Sequence, residues 1–305
     1  MGRSPRRPGA RDVNGILIFD KPSGVSSNQA LQRVRRLFNA RKAGHTGALD
    51  VLATGLLPLC FGEATKLSGY LLDADKAYRA TFRLGIATDS GDAEGEVIAT
   101  NATASVDACS LRDAMAALTG DIRQVPPMHS ALKRDGRPLY ELARRGIEVE
   151  REARSVRVSR FELLSWEGDD VQVAIRCSKG TYIRSLAIDL GRLLGCGAHV
   201  TALRRTDAGP FSIDAAVTLE GIEAQIVDGG DIDALLVPMD RALEGYPEVA
   251  LDAPACSAVR QGRPVRVASP PPGLVRLYGP GREFVGLGVG ADDGRVAPKR
   301  LISGA

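Results

Sequence analysis

A chain of 305 residues with 44% hydrophobic content can bury a sizeable core and has room for one large domain and a small one. Its five cysteines, Cys60, Cys109, Cys177, Cys196 and Cys256, are scattered, with no CxxC pair and no histidine at zinc-ligand spacing. That pattern argues against a disulfide framework and a structural metal, and reads as buried thiols in a reducing compartment. The net charge of +3 is too small to demand a polyanionic partner, so where the arginines cluster matters more than their sum.

In chain order, Met1 to Arg11 is basic and rich in Pro and Gly, and no apolar stretch follows that is long enough for a signal peptide or a membrane span. The expectation is a flexible basic tail on a protein that stays in the cytoplasm. Asn14 to Asp20 is a short apolar run ending at Lys21-Pro22-Ser23-Gly24, a buried strand followed by a turn. Ser26 or Ser27 can cap a helix in which Leu31, Val34, Leu37 and Phe38 recur at helical spacing, leaving Arg33, Arg35 and Arg36 on other faces. Tyr78 to Leu84 has the period of a half-exposed strand, and Arg157 to Leu164 and Val171 to Cys177 read as strands. Helices are expected over Asp107 to Leu118, Leu139 to Arg145 and Thr181 to Leu194, giving a mixed α+β domain over residues 12–245 without a regular βαβ rhythm. Leu219 to Leu243 is helical in character but interrupted at Asp228 to Asp231, and Gly245-Tyr246-Pro247 marks a boundary. Residues 246–305, with short apolar runs at Leu274 to Tyr278 and Glu283 to Val289, read as a small β-rich domain.

Three places can carry chemistry. Asp50 is the single charged residue of Thr46 to Gly62, and a carboxylate among apolar neighbours needs a cation, a cleft or a raised pKa. Its bland alternative is a structural Asp that caps a helix or orders the Gly-rich loop. Arg184 falls in the first turn of a helix, where the macrodipole disfavours a cation by about 0.3–1 kcal/mol. A carboxylate such as Asp50 would remove that penalty and accept a bidentate fork, while an exposed arginine on an amphipathic helix is the alternative. Tyr78 shares a strand face with Phe82 and Leu84, so it is either a core tyrosine or an aromatic at a cleft rim able to stack on a nucleobase. His45 stands between basic Arg41-Lys42 and the Asp50 loop, as a structural histidine or a substrate contact.

Eight segments in order resemble the bacterial TruB family of tRNA pseudouridine-55 synthases. They are Asn14 to Gly24, Ala43 to Asp50, Leu52 to Leu56, Gly62 to Lys66, Asp75 to Tyr78, Pro127 to Lys133, Cys177 to Arg184 and Gly195 to Val200. With Gly294 to Pro298 the likeness covers nearly the whole chain. It implies the pseudouridine synthase fold, a mixed and mostly antiparallel sheet with a central cleft, followed by a PUA-like RNA-binding domain. It also implies Asp50 as nucleophile, Tyr78 stacked on the target base and taking part in proton removal, and Arg184 as partner of Asp50. His45 is implied to enter the T loop and help extrude the uridine, Tyr182 and Leu203 to line the pocket, and Lys21 to support the active-site region. The family commonly has Pro after the catalytic Asp; here Val51 restores an N–H and frees one dihedral, which predicts a modest change in loop rigidity.

The reaction that the resemblance implies isomerises one uridine of tRNA and needs no cofactor, ATP or obligatory metal, in keeping with a sequence without a P-loop or a metal cluster. The expected partner is the T arm and elbow of tRNA, held by a monomer through phosphate contacts from Arg33, Arg36, Arg41, Lys42, Arg144, Arg145, Arg204 and Arg205. Two rivals compete: a non-catalytic RNA-binding module, indifferent to Asp50→Asn, and a carboxylate-dependent hydrolase of nucleosides or sugars, which would release free base.

Overall fold

In the computed structural model, which describes residues 9–130, 132–134, 136–143 and 145–303, the first apolar run becomes β1 (Gly15–Lys21). Ile16 and Ile18 face one side of a sheet and Leu17 and Phe19 the other; all four are buried because both faces are covered. Ser26 caps α1 (Ser27–Leu37) in a reciprocal box, its hydroxyl accepting the Gln29 amide while the Gln29 side chain accepts the Ser26 amide. Leu31, Val34 and Phe38 bury the apolar stripe of this helix.

The chain continues through β2 (Ala43–His45), β3 (Thr54–Phe61), α2 (Ser68–Asp73), β4 (Lys76–Leu84), β5 (Ile86–Thr88), β6 (Val97–Thr100), α3 (Ala108–Ala117) and β7 (Gly120–Gln124). After the small hairpin β8 (Lys133–Arg134) and β9 (Arg137–Pro138) come α4 (Leu139–Ala143), β10 (Arg154–Glu167), β11 (Asp170–Cys177), α5 (Ile183–Leu193), β12 (Ala198–Ala208), β13 (Phe211–Ser212), α6 (Leu219–Val227) and β14 (Leu236–Val237). Ten of these strands form one sheet in the order β14-β1-β3-β12-β4-β11-β10-β7, with β2 on β3 and β13 on β12. Its ladders are antiparallel except that of β3 with β12. There Gly55 pairs with Arg205 at φ +99°, and any Cβ would collide with the Arg205 carbonyl oxygen, so the close approach of these central strands requires glycine.

The strands read from Tyr78, Arg157 and Val171 are β4, β10 and β11, and the helix read over Asp107 to Leu118 is α3 with Asp107 as its N-cap. Sequence analysis assigns no strand to β3, β7 or β12. In β3, Leu57, Leu59 and Phe61 pack on one face while Leu56 and Cys60 pack on the other, so a strand buried on both faces lacks the period-two signal. Four cysteines are buried, but Cys109 is exposed on the polar side of α3, which corrects the expectation of uniformly buried thiols. At the start of the described chain, the Arg11 amide donates to the Asn39 carbonyl at 2.8 Å and its guanidinium pairs with Asp233. Residues 1–8 lie outside the described residues.

A second sheet follows, built from β15 (Glu248–Ala250), β16 (Val265–Arg266), β17 (Gly273–Tyr278), β18 (Phe284–Gly290) and β19 (Arg295–Leu301), with α7 (Ala253–Arg260) packed on it. Its order is β15-β17-β18-β19-β16. Val249, Val259, Val275, Leu277, Val285 and Val296 form its core, while Leu287 and Ile302 join Ile16, Leu56, Leu71 and Leu243 of the large body in a shared cluster. None of the described helices is long and apolar enough to cross a membrane.

Candidate active site

The loop between β2 and β3 carries Asp50 and is tied down on both sides of it. The Ser27 hydroxyl binds both backbone groups of Leu49, accepting the amide at 2.7 Å and donating to the carbonyl at 3.1 Å. On the other side the Val51 carbonyl accepts the Gly24 amide at 3.0 Å and the Lys21 ammonium at 3.4 Å, and Ser23 donates to the Leu52 carbonyl at 3.0 Å. The turn after β1 thus clamps Val51 by hydrogen bonds where the family commonly has proline. Lys21 is fully buried, donating also to Pro22 and Val25 carbonyls at 2.8 and 2.7 Å; burial lowers its pKa to about 8, opposed by the Asp50 carboxylate.

Asp50 and Arg184, 134 residues apart, meet in a bidentate pair: Nε lies 2.9 Å from Oδ2 and Nη2 donates to Oδ1 at 3.1 Å. Arg184 sits in the first turn of α5 and is nearly fully buried. Its remaining donors reach the Ser90 carbonyl at 3.1 Å and the His129 carbonyl at 2.7 Å. A second carboxylate, Asp92, lies 3.5 Å from Nε and is itself fixed by the Ser90 hydroxyl at 2.6 Å and the Glu94 amide at 3.1 Å. Two acids on one guanidinium more than offset the helix-dipole penalty. Burial raises the Asp50 carboxyl above its ordinary range; Arg184 pulls it down and Asp92 pushes it up. The Asp50 side chain remains 38% exposed, so it is open to a ligand while Arg184, at 4%, is not.

These groups open on a cleft of about 750 Å³ whose walls include Asp50, Asp92, Arg184, Tyr78, Tyr182, Lys76 and Arg205. Tyr78 is half-buried on β4, and burial raises its phenol pKa while Arg205 lowers it. Tyr182 is the residue before α5; its backbone amide and carbonyl both bind the Gln124 side chain, at 2.7 and 3.0 Å. His45 is half-buried on β2, with Nδ1 enclosed and unpartnered, and burial, then Arg205, lower its pKa. Leu203 is buried in the main core and is not among the walls of this cleft. Among the described residues no cluster of His, Cys, Asp or Glu is placed to hold a metal ion.

The arginines expected on the RNA-binding surface divide. Arg36 and Arg145 are exposed, as is Lys42; Arg33 and Arg41 are exposed too, but pair with Glu223 and Asp12 at 2.8 Å each. Arg144 lies outside the described residues. Arg204 forms a bidentate pair with Asp20 at 2.6 and 3.0 Å. Arg205 is a correction: at 1% exposure it has no surface to offer a phosphate and instead donates to the Leu56 and Gly47 carbonyls at 2.7 and 3.1 Å. Neighbours on a strand point to opposite faces, and the sequence does not say which of two arginines points inward. Asp92 was also missed; its signal is the dense acidic run Asp89-Ser-Gly-Asp92-Ala-Glu94 in a turn between short strands.

Comparison with known proteins places the chain in a family. Residues 35–183 match the N-terminal domain of TruB family pseudouridylate synthases, 184–244 the C-terminal domain of tRNA pseudouridylate synthase B, and 247–302 the C-terminal region of pseudouridine synthase II TruB. A tRNA pseudouridine synthase B from Aromatoleum aromaticum is 58% identical over 96% of this chain and 94% of its own. One from Pseudomonas aeruginosa is 54% identical over 96% and 97%. Among solved structures, a chain of an H/ACA RNP bound to a substrate RNA containing 2′-deoxyuridine superposes with a TM-score of 0.73 at 25% identity, covering 98% of this chain and 93% of that one. A chain of a Cbf5–Nop10–Gar1 complex gives 0.70 at 28% identity, covering 93% and 84%. A continuous match of three regions, together with near-complete coverage of relatives more than half identical, shows that this chain belongs to the TruB family of pseudouridylate synthases and is an isomerase of that class.

Proposed function

We propose that this enzyme converts uridine 55 in the T loop of tRNA to pseudouridine, with Asp50 as the nucleophile. The observation that carries the reading is the bidentate Asp50–Arg184 pair on the wall of an open cleft, in which the acid is accessible and the guanidinium is not. In the reaction the bond from C1′ to N1 breaks, the base turns, a bond from C1′ to C5 forms, C5 loses a proton and N1 gains one. A carboxylate beside C1′ serves the first step by attack or by stabilising positive charge on the sugar, and must be ionised to do so. Arg184 favours that form against burial.

A stacked base must leave the loop to reach Asp50, at a cost of a few kcal/mol. Tyr78 on the cleft wall supplies a face for the everted uracil, each such stack being worth about 1–3 kcal/mol. Tyr182, held by Gln124, borders the same space. His45 on β2, whose proton affinity is lowered by burial and then by Arg205, fills the gap that the uridine leaves. The exposed cations Arg36, Arg41, Lys42 and Arg145 contact tRNA phosphates, and Lys21 holds the Val51 carbonyl. The enzyme works in the cytoplasm as a monomer and needs no cofactor.

The test uses tRNA transcript tritiated at uridine C5. The wild-type chain releases tritium and leaves pseudouridine at position 55, while Asp50→Ala does neither. Free uracil in the supernatant would identify a hydrolase instead, and unchanged activity in Asp50→Asn would remove Asp50 from the chemistry.

A further inference from the structure

Arg205 is a buried cation that forms no ion pair with a carboxylate among the described residues. Such a charge is costly to keep, since carbonyl dipoles compensate it only in part. Two of its edges are spent on the fold: Nε donates to Leu56 of β3 at 2.7 Å, and Nη2 to Gly47 of the Asp50 loop at 3.1 Å. In the antiparallel ladder of β12 with β4, Arg205 is the direct partner of Tyr78, and both side chains reach the same cleft. One guanidinium therefore lies against three parts of the site: the strand beneath it, the backbone of the Asp50 loop, and the tyrosine beside it on the neighbouring strand.

We propose that Arg205 is a positioning residue for the isomerisation: locked by the Leu56 and Gly47 carbonyls beside Tyr78, its cross-strand partner, it supplies the positive charge that favours the anionic form of the tyrosine oxygen, which then takes the C5 proton. This rests on the reading of the cleft given above. The proton count closes. Tyr78 enters the cycle by losing its phenolic proton to solvent; the phenolate accepts the proton from C5 as the C–H electron pair returns to the ring, and the phenol so formed donates a proton to N1, which restores the phenolate.

The groups that bear on Tyr78 divide by sign. Burial raises its proton affinity, as do Cys177 on β11 and Asp50 on the loop, while Arg205 lowers it by its charge. Lys76, on the same strand as Tyr78, Asp89, Asp92, Glu94 and Glu96 of the turn between β5 and β6, His129, and Tyr182 and Arg184 at the start of α5 share the cleft wall with it. The positive field of Arg205 also depresses Lys21, His45 and Lys76, so its charge is felt throughout the cleft.

The experiment is a single-turnover assay of the full chain on C5-tritiated tRNA transcript, with tRNA retention and thermal melting measured in parallel. Arg205→Lys is expected to slow tritium release by on the order of ten- to a hundredfold with binding unchanged. In a Tyr78→Phe background the same substitution is expected to change the residual rate by less than about twofold, because the group through which it acts is gone. Arg205→Gln is expected to shift the rise of rate with pH toward higher pH. Equal slowing in both backgrounds, or an unmoved pH profile, overturns the proposal; where Tyr78→Phe retains no turnover, the pH profile decides. Loss of the folded state in both Arg205 variants assigns the residue to stability and overturns it too. A wild-type chain that releases no tritium sinks the reading of the cleft itself, whereas wild-type turnover with equal slowing sinks only the role of Arg205.

Discussion

The large body and the terminal β domain bury very different things. Lys21, Lys76, Asp92, Arg184, His199 and Arg205 are all buried in the large body, whereas beyond Arg205 no charged side chain is buried among the described residues. The terminal core is valine, leucine and cysteine. Apolar cores are the economical way to stabilise a domain, since each buried aliphatic side chain contributes about 1.5–3 kcal/mol without desolvating a charge. Four of the buried charges, Lys76, Asp92, Arg184 and Arg205, line one cleft and mark where chemistry, not stability, has set the composition.

Substitutions can break that contrast or sharpen it. Asp50→Ala should have the largest effect on activity, a loss on the order of 10³-fold or more in single-turnover pseudouridine formation with tRNA retention preserved. Arg184→Met should follow and add a stability defect. It leaves Asp92 buried and unpaired, and thermal or urea unfolding should show a loss of about 3 kcal/mol. The pH profile comes next. Because burial first, and Asp92 after it, raise the Asp50 pKa above 3.8, the acid limb of kcat/KM should lie above that value, activity falling as pH drops and the carboxylate is protonated. Asp92→Asn should move that limb to lower pH by removing one of the two upward influences. The smallest effect on chemistry should come from the terminal core: Leu277→Ala is expected to cost about 2–5 kcal/mol in unfolding yet leave the single-turnover rate of the folded fraction unchanged. A large catalytic defect there would show that the two regions do not divide the labour in this way.

Local patterns in the sequence carried much of the fold. Alternation in Tyr78 to Leu84, the Ser26 cap with its apolar stripe, and the Asp107 cap each report structure within one element. β3 and β12 escaped because they lie at the centre of the sheet, where burial on both faces erases alternation in one and the adjacent Arg204 and Arg205 disguise the other. The resemblance proposed Asp50 and Arg184 as partners; local pattern alone left each with a bland alternative, and the structure brings them within hydrogen-bonding distance. Arg205 was not legible as a site residue, because its significance lies in what faces it across the sheet and the cleft; for Asp92 the adjacent acidic run marks a turn but not the guanidinium that it faces.

Leu287 and Ile302 sit in a cluster with Ile16 and Leu71, and the Lys66 ammonium donates to the Leu301 carbonyl and the Ser303 hydroxyl at 3.1 and 3.2 Å. The seam between the two sheets is therefore sealed by residues of β18 and of the segment after β19. On a ribosome, the strand that leads into the active-site turn would have one flank wet until the β domain has been made, so that maturation of the catalytic body waits on that domain.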